Sequence, residues 1–285
     1  MSEDEIVSIF KNKLGKDVIG IADCSHGAEQ SVLIVETDGH DRYVIKIPHA
    51  GNEMMIAREI FACERLEDEI PVPRIIARGA GYLIESFLEG EMLSKAELSS
   101  ASAEKVYAQL GKAVRHIHYA EMSGFGEMQP HGSGKHDKLA RHVSAMARRD
   151  IPLLKETGIF TDREIAALHS HLKEKIRHLD HHESVLLHFD LLDTNVLVKD
   201  GELAGLIDFG DLGCGPRAYD LAKFYIEKRD TPHLASFLGG YGDIDMDEIE
   251  YFAVLHLMYE IPYYHVHDRD KNARLIGMLR DLIGK

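Results

Sequence analysis

The chain has 285 residues, of which 45% are hydrophobic, and it carries a formal net charge of −15 at pH 7. This length suffices for one large domain or two modest domains with a packed core. The acidic balance argues against a nucleic-acid partner, because nucleic-acid binding draws its affinity from clustered Lys and Arg side chains. It favours attraction of cationic ligands, although an excess of acids also serves solubility alone.

The first residues, 1–15, predict an acidic amphipathic helix and not a signal peptide, and the sequence contains no run of 18 or more apolar residues. We therefore expect a cytoplasmic protein with no membrane partner. The three cysteines are an odd number without Cys-x-x-Cys spacing, which indicates neither a disulfide framework nor a zinc finger.

The first third of the chain predicts a small β-rich lobe. A hairpin turn is expected at Asp38-Gly39, because this dipeptide lies between two alternating apolar runs. Apolar periodicity gives way to a new pattern around Gly90, so we place the domain boundary between a lobe at 1–88 and a second lobe at 89–285. The expected elements of the first lobe are strands near 18–24, 31–37, 42–48, 74–78 and 82–87 and a helix at about 52–67.

The second lobe is expected to be mainly helical. Thr161 and Glu164 predict a capping box at the start of one helix. The eighteen histidines of the chain lack the spacing of the zinc-protease motif, so we interpret them as solvated or helix-packing residues. The expected helices lie at roughly 101–119, 137–149, 162–180, 217–229, 246–267 and 270–283.

Two short motifs predict a phosphoryl-transfer site. In "VLLHFDLLDTNVLV", His188 comes two residues before Asp190 and Asn195 comes five residues after it, and "LAGLIDFGD" brings an apolar strand to Asp208. Each motif alone also fits a surface turn or an ordinary strand end. Together, two carboxylates and an amide at the ends of adjacent strands can converge on one cation. In protein kinases one such Asp orients the acceptor hydroxyl, while the Asn and a second Asp hold Mg²⁺.

These two motifs and "GPRAYDLAKF" at 215–224 resemble the aminoglycoside phosphotransferase family, a group of protein-kinase-like small-molecule kinases. The resemblance runs from about residue 15 to about residue 265, and only the C-terminal motifs are specific. It implies a two-lobed α+β fold with a small antiparallel-sheet N-terminal lobe and a larger, mainly helical C-terminal lobe. It also implies that Asp220 supports the catalytic loop, and the position of His188 at a strand end beside Asp190 predicts the same role for His188. Phe189 departs from the family pattern, which usually has a small or polar residue there.

The resemblance implies transfer of the γ-phosphoryl group of ATP or GTP to a hydroxyl of a small cationic molecule, most simply an aminoglycoside-type antibiotic. Asp190 would accept or orient the hydroxyl proton, and Asn195 and Asp208 would bind Mg²⁺. Two alternatives stay open. The acceptor could be a macrolide or a metabolite such as an amino alcohol, a sugar or an amino acid. The chain could also be a catalytically silent binding module, which the intact motif residues argue against.

Lys46 is the candidate for contact with the nucleotide phosphates. It lies in the middle of the strand "YVIKIP", and the strand pattern alone favours a solvated edge residue. Its place on the third strand, before a helix with acids, matches instead the Lys that positions the α- and β-phosphates of kinases. Glu59 is the preferred partner because it lies on an apolar helix stripe, where an unpaired carboxylate is costly. Glu53 is the second choice.

The remaining nucleotide contacts are expected on two loops. "CSHGAEQS" offers Ser25, Gly27 and Ser31 as a phosphate-covering loop, although an ordinary strand connection fits this segment equally well. The resemblance implies that the nucleotide base bonds to backbone groups near Ser86 and Leu88. Glu85 would then flank the purine.

Acids near the motifs are the candidates for contact with a cationic acceptor. We expect Asp193, Asp211 and Glu260 to bind its ammonium groups, although each also fits a structural or surface position. Pro262 is expected to break or kink the last long helix and so turn Glu260 towards the acceptor.

Overall fold

The computed structural model describes residues 1–26, 29–176 and 182–284, apart from the side chains of Ser25 and His26. The chain forms two compact units. Unit 1 comprises Met1–Ser102 and Asp193–Leu212, and unit 2 comprises Ala103–Leu192 and Gly213–Lys285. Packing thus groups the segment 193–212 with the N-terminal sheet, whereas the division into functional lobes at 1–88 and 89–285 stays a prediction.

Unit 1 is built on a five-stranded antiparallel sheet. Its elements are α1 (Glu3–Leu14), β1 (Val18–His26), β2 (Gln30–Thr37), β3 (Arg42–Pro48), α2 (Met54–Leu66), β4 (Ile75–Gly79) and β5 (Tyr82–Ser86). The strand order is β1-β2-β3-β5-β4, and α2 contacts β3 and β4. Phe10 of α1 packs with Val35, Ile45 and Ile84 in a buried core, because alternate residues of these strands face the helix. The five predicted strands and the helix are all present.

The hairpin between β2 and β3 turns at Asp38-Gly39, as predicted. The amide of His40 donates to the carbonyl of Thr37 at 2.8 Å, and His40 has a φ of 60°. This turn fixes a register in which Val32 faces Lys46 across the two strands. The register therefore determines which face of the sheet carries Lys46.

A second, three-stranded sheet in unit 1 carries the two predicted metal ligands. It consists of β6 (Glu91–Met92), β10 (Val196–Lys199) and β11 (Glu202–Leu206), in the order β11-β10-β6. A short 3₁₀ turn ends at Asn195 immediately before β10, and Asp208 follows β11 by two residues. Because β10 and β11 are antiparallel, the start of the first and the end of the second lie side by side.

Unit 2 is mainly helical. Its helices are α3 (Ser100–Ile117), which begins in unit 1, α4 (Leu139–Glu156), α5 (Asp162–Ile176), α6 (Arg217–Lys228), α7 (Pro232–Tyr241), α8 (Met246–His267) and α9 (Arg269–Ile283). The strands β7 (Phe125–Met128), β8 (Gly134–His136), β9 (Val185–Leu187) and β12 (Gly213–Gly215) form a sheet in the order β8-β7-β12-β9. The long helix α8 packs against α4, α6 and α9, and its middle residues are almost all buried.

The predicted helices of unit 2 are present, with three differences. Helix α7 was not predicted, because Gly239 and Gly240 interrupt its apolar pattern. Helix α4 continues through Pro152 to Glu156. Helix α8 continues through Pro262 to His267, so Pro262 does not break it, and the alternative of a kink there stays a prediction. The capping box at Thr161 is confirmed.

The predicted extension of α5 over 177–180 lies outside the described residues. Within the part of the chain that the structure describes, no helix is long and apolar enough to cross a membrane.

Candidate active site

Lys46 is buried at the centre of a cluster of charges in unit 1. Its Nζ lies 2.6 Å from Oε1 of Glu59 on α2 and 3.4 Å from Oε2 of Glu85 on β5. All three side chains are less than a tenth exposed. The predicted pair with Glu59 is therefore present, and the solvated-edge alternative for Lys46 is wrong.

The charges in this cluster do not balance. Burial disfavours the ammonium group, yet Glu59, Glu85 and Asp208 together raise the pKa of Lys46, so it stays charged. Burial raises the pKa of both Glu59 and Glu85, and the one ammonium group that the two carboxyl groups share offsets this rise only in part. Lys46 therefore keeps its positive charge, and Glu59 on α2 and Glu85 on β5 hold its ammonium group in place.

The sequence reasoning missed the second partner, because it expected Glu85 to flank the purine. Glu85 is 1% exposed and lies diagonally across the β3–β5 register, in which Val44 faces Glu85 and Lys46 faces Leu83. Leu83 and Glu85 point to the same side of their strand. The sequence could have indicated this partner, because Glu85 is an acid in an otherwise apolar strand and lies on the same face of the sheet as Lys46.

Lys46 lines a cavity of about 420 Å³ within unit 1. Asn195 and Asp208 line the same cavity, and Ser86 and Leu88 lie on its wall. Most of the remaining lining is apolar side chain. These apolar lining residues are Val32, Ile34, Val44, Pro73, Phe87, Met92, Leu197 and Ile207. The cavity thus combines apolar walls, which suit a flat base, with one cation, two carboxylates (Glu85 and Asp208) and two amides (Gln30 and Asn195).

Asn195 and Asp208 are brought together by the backbone. The amide of Ile207 donates a hydrogen bond to the carbonyl of Asn195 at 3.0 Å. Asp208 is the next residue, so this hydrogen bond holds Asp208 close to Asn195. Asp208 has a φ of 66°, in the left-handed region that non-glycine residues rarely adopt. Nε2 of Gln30 contacts Oδ1 of Asp208 at 3.4 Å. An oxygen of an amide and an oxygen of a carboxylate are the donors that Mg²⁺ takes, so these residues fit the ion.

The loop that carries Asp190 is held by Asp220 within unit 2. Oδ2 of Asp220 accepts from the amide of His188 at 2.7 Å, and Oδ1 accepts from the amide of Phe189 at 2.8 Å. Nε2 of His118 lies 3.2 Å from Oδ2. Burial would raise the pKa of Asp220, but these hydrogen bonds and the charges of the two histidines hold it below the usual value. The bracing role predicted for Asp220 therefore has a geometric basis, and Asp190 follows directly.

Phe189 occupies a strained position in that loop. Its φ is 67°, where glycine is favoured, and its ring packs against Tyr219 with centroids 5.0 Å apart. This packing explains how an aromatic residue is accommodated in this left-handed position.

The phosphate-covering loop is only partly described. Gly27 lies outside the described residues, and so does the side chain of Ser25. Oγ of Ser31 lies 3.3 Å from Nε2 of His49. At the opposite end of the sheet, the amide of Ser86 donates to the carbonyl of Arg74, so the backbone of Leu88 is the better candidate for a nucleotide contact.

The three predicted acceptor acids differ in their surroundings. Asp211 is exposed and Asp193 is half-buried at the 3₁₀ turn, both in unit 1. Glu260, in unit 2, is 3% exposed, and its Oε1 lies 2.6 Å from Nζ of Lys223. Glu260 is therefore paired with a lysine of its own unit, and its contact with an acceptor stays a prediction. Lys223 was missed because nothing local links residues 37 positions apart.

The sequence matches a known family over most of its length. The profile of the "Phosphotransferase enzyme family" matches residues 20–252. Aminoglycoside 3'-phosphotransferases of Enterococcus faecalis and Staphylococcus aureus are each 26% identical over 221 residues, which is 73% of this chain and 80% of theirs.

The structure also resembles solved structures. One is a thermostable mutant of aminoglycoside phosphotransferase APH(4)-Ia in a ternary complex with ADP and hygromycin B. It has a TM-score of 0.74 at 17% identity and covers 98% of both chains. This likeness confirms the predicted α+β fold, with an antiparallel sheet in the N-terminal part and helices in the C-terminal part.

Proposed function

Because the chain belongs to the phosphotransferase enzyme family, we propose that it transfers the γ-phosphoryl group of a nucleoside triphosphate to a hydroxyl of an aminoglycoside-type antibiotic. One observation carries this proposal: Lys46, Asn195 and Asp208 line the same cavity. The curated relatives support the acceptor, since their names are those of aminoglycoside phosphotransferases.

The cavity is the proposed nucleotide site. Its apolar walls receive the base, with the backbone of Leu88 as hydrogen-bonding partner, and Lys46 contacts the α- and β-phosphates. Glu59 holds Lys46 in place, so little side-chain entropy is lost when the phosphates bind. We propose ATP as the donor, because a structural relative with a TM-score of 0.74 binds ADP. Other structural relatives bind GDP, so comparison of ATP with GTP tests this choice.

Asn195 and Asp208 are the proposed ligands of Mg²⁺. When bound, the ion neutralises negative charge on the transferring phosphates. The left-handed backbone of Asp208 supports this role, because strained residues persist where function requires a particular side-chain direction.

Asp190 is the proposed base. It takes the proton of the acceptor hydroxyl, the hydroxyl oxygen forms a bond to the γ-phosphorus, and the bond to the bridging oxygen breaks. The nucleoside diphosphate leaves with that bridging oxygen, so a phosphomonoester and a diphosphate are the products. Because the transition state of phosphoryl transfer is loose, positioning supplies most of the rate. Asp220 supports that positioning by holding the two residues before Asp190.

A second candidate function is phosphorylation of a neutral or less cationic metabolite, such as an amino alcohol, a sugar or an amino acid. The pairing of Glu260 with Lys223 favours it, because this pair withdraws one acid from the set available to ammonium groups. Asp193 and Asp211 remain as proposed contacts for a cationic acceptor. We place either reaction in the cytoplasm, where nucleoside triphosphates are available.

An acceptor panel separates the two functions. Release of nucleoside diphosphate is measured with Mg²⁺ and either ATP or GTP, in the presence of aminoglycosides, macrolides, amino alcohols, sugars and amino acids. Turnover that depends on an aminoglycoside supports the proposal, and turnover with a metabolite alone moves the assignment to the second candidate. Absence of acceptor-dependent turnover across a broad panel, with nucleotide binding intact, would favour a binding module.

A further inference from the structure

Lys223 and Glu260 form a buried ion pair that the proposed chemistry has not used. Lys223 lies on α6 and Glu260 on α8, and both belong to unit 2. Their atoms Nζ and Oε1 are 2.6 Å apart, and the two side chains are 14% and 3% exposed. Removing two charges from water is costly, so a buried pair of this kind calls for a reason other than stability.

The pair lies beside the loop of Asp190. Asp220, three residues before Lys223 on α6, holds the amides of His188 and Phe189, which immediately precede Asp190. Residues three apart on a helix are neighbours on one face. Burial disfavours the charge on Lys223, but Glu260, Asp190 and Glu227 together raise its pKa, so Asp190 is one of the charges close enough to act on it.

Two other titratable groups near Lys223, Glu227 and His256, have partners of their own. Glu227 lies 2.8 Å from Nζ of Lys271 and 3.5 Å from the guanidinium of Arg274, both on α9. His256 on α8 is neutral at neutral pH, because burial lowers its pKa to about 4, and its Nε2 lies 2.9 Å from the carbonyl of Tyr219. Lys223 is thus a largely buried cation that is paired with Glu260 and interacts electrostatically with Asp190.

We propose that Lys223, anchored by Glu260, is a positioning residue that orients the carboxylate of Asp190 for the acceptor hydroxyl. This inference rests on the proposed function, in which Asp190 receives the proton. Lys223 needs an anchor because a lysine side chain has four rotatable bonds, and without Glu260 its ammonium group would leave the loop for water. Glu260 then acts on the reaction only through Lys223.

The test is a double-mutant cycle between Lys223 and Asp190, read in the turnover of the full chain with its best acceptor. Lys223→Met is expected to lower kcat by about 10- to 100-fold, because the carboxylate of Asp190 loses the charge that orients it. The KM for the nucleotide is expected to stay within about twofold, because the nucleotide cavity lies in unit 1. In the Asp190→Asn background the same change is expected to cost less than about twofold, since the group it orients is gone.

Three further variants make the cycle decisive. Lys223→Arg retains the charge and is expected to recover most of kcat. Lys112→Met removes an exposed charge on α3 and is the matched control, with no expected change in either background. Since Lys223→Met alone leaves Glu260 buried without a partner, the pair is also replaced by methionines, a change that buried ion pairs often tolerate. This double variant is expected to keep its thermal unfolding midpoint and still lose kcat.

The outcomes separate this inference from the proposed function. If Asp190→Asn retains turnover, the proposed role of Asp190 fails. If Asp190→Asn is impaired but the loss from Lys223→Met is equal in both backgrounds, only the positioning role fails. Equal kcat in the folded double-methionine variant and the wild type would likewise overturn it.

Discussion

The ring of Phe189 lies so close to Gly213 that a Cβ atom on Gly213 would be 2.4 Å from Cζ of the ring. The bare backbone of β12 therefore makes room for an aromatic residue on the loop that carries Asp190. The two positions depend on each other, because Phe189 can keep its strained φ only while its ring has this space.

Gly213→Ala is expected to push the ring of Phe189 out of its place and to lower the unfolding free energy by about 1–3 kcal/mol, the usual cost of overpacking. Turnover should fall as well, because Phe189 adjoins Asp190. Thermal unfolding and kcat are measured together. Gly277→Ala on α9 is the control, since a Cβ there meets nothing within 4 Å. An unchanged unfolding midpoint in Gly213→Ala would refute the packing argument. In the Gly213→Ala background, Phe189→Gly should raise the unfolding midpoint again, because it removes the ring that clashes.

Asp208→Ala is expected to remove the Mg²⁺-dependent part of nucleotide binding, because the ion would bridge this carboxylate and the phosphates. Calorimetric titration of ATP with and without Mg²⁺ measures this part. Asp68→Ala, which removes an exposed carboxylate of unit 1, should leave it intact. If Asp208→Ala retains the Mg²⁺ dependence of the wild type, the ion is held by other groups.

Glu85→Gln is expected to stabilise the protein more at pH 8 than at pH 5. The pKa of Glu85 is raised in the folded state, so the folded protein holds this proton more tightly than the unfolded chain does. As pH rises above the usual value of 4.5, deprotonation costs the folded state more, and the unfolding free energy of the wild type falls. The glutamine removes this cost and leaves Lys46 paired with Glu59.

Urea unfolding of both proteins across this pH range tests the effect. The glutamine variant should gain more unfolding free energy at pH 8 than at pH 5, because the wild type must deprotonate a buried carboxyl as pH rises. A difference that is equal at pH 5 and pH 8 would contradict the account of two carboxylates sharing one cation.

Acceptor binding is expected to depend on salt if the acceptor is polycationic. Exposed charges are screened beyond about 8 Å at physiological ionic strength, so an attraction to Asp193 and Asp211 should weaken as salt rises. Calorimetric titration of an aminoglycoside at low and high salt tests this. Replacing both acids by Asn should flatten the salt dependence, and a wild-type affinity that is insensitive to salt would exclude these acids as its partners.

The sequence was sufficient where one local pattern carried the information. Glu59 lies on the apolar stripe of α2, and a carboxylate there needs a partner, so its pair with Lys46 was predictable. The strands of unit 1 were predictable for the same reason, because alternation and the turn at Asp38-Gly39 set their register. The two glycines of α7 concealed a helix that tertiary packing stabilises.

Pairings between distant elements could not be derived from local patterns. Lys223 and Glu260 are separated by 37 positions, and only the packing of α6 against α8 brings them together. Phe189 and Gly213 meet because β9 and β12 are neighbours in one sheet. Both pairs lie near the loop of Asp190, so the sequence indicated the base of the proposed reaction and its support Asp220, but not these two pairs.

Detection of the phosphorylated acceptor tests the central claim most directly. The protein is incubated with Mg²⁺, ATP labelled in the γ-phosphoryl group and an aminoglycoside, and the acceptor is analysed by mass spectrometry. The account predicts an acceptor that carries one labelled phosphoryl group. It also predicts that Asp190→Asn forms this product about 10² to 10⁴ times more slowly, the range for loss of a positioned base, with its fold and nucleotide affinity retained. Transfer at an undiminished rate by Asp190→Asn, or label released only as inorganic phosphate in the presence of every acceptor tried, would contradict it.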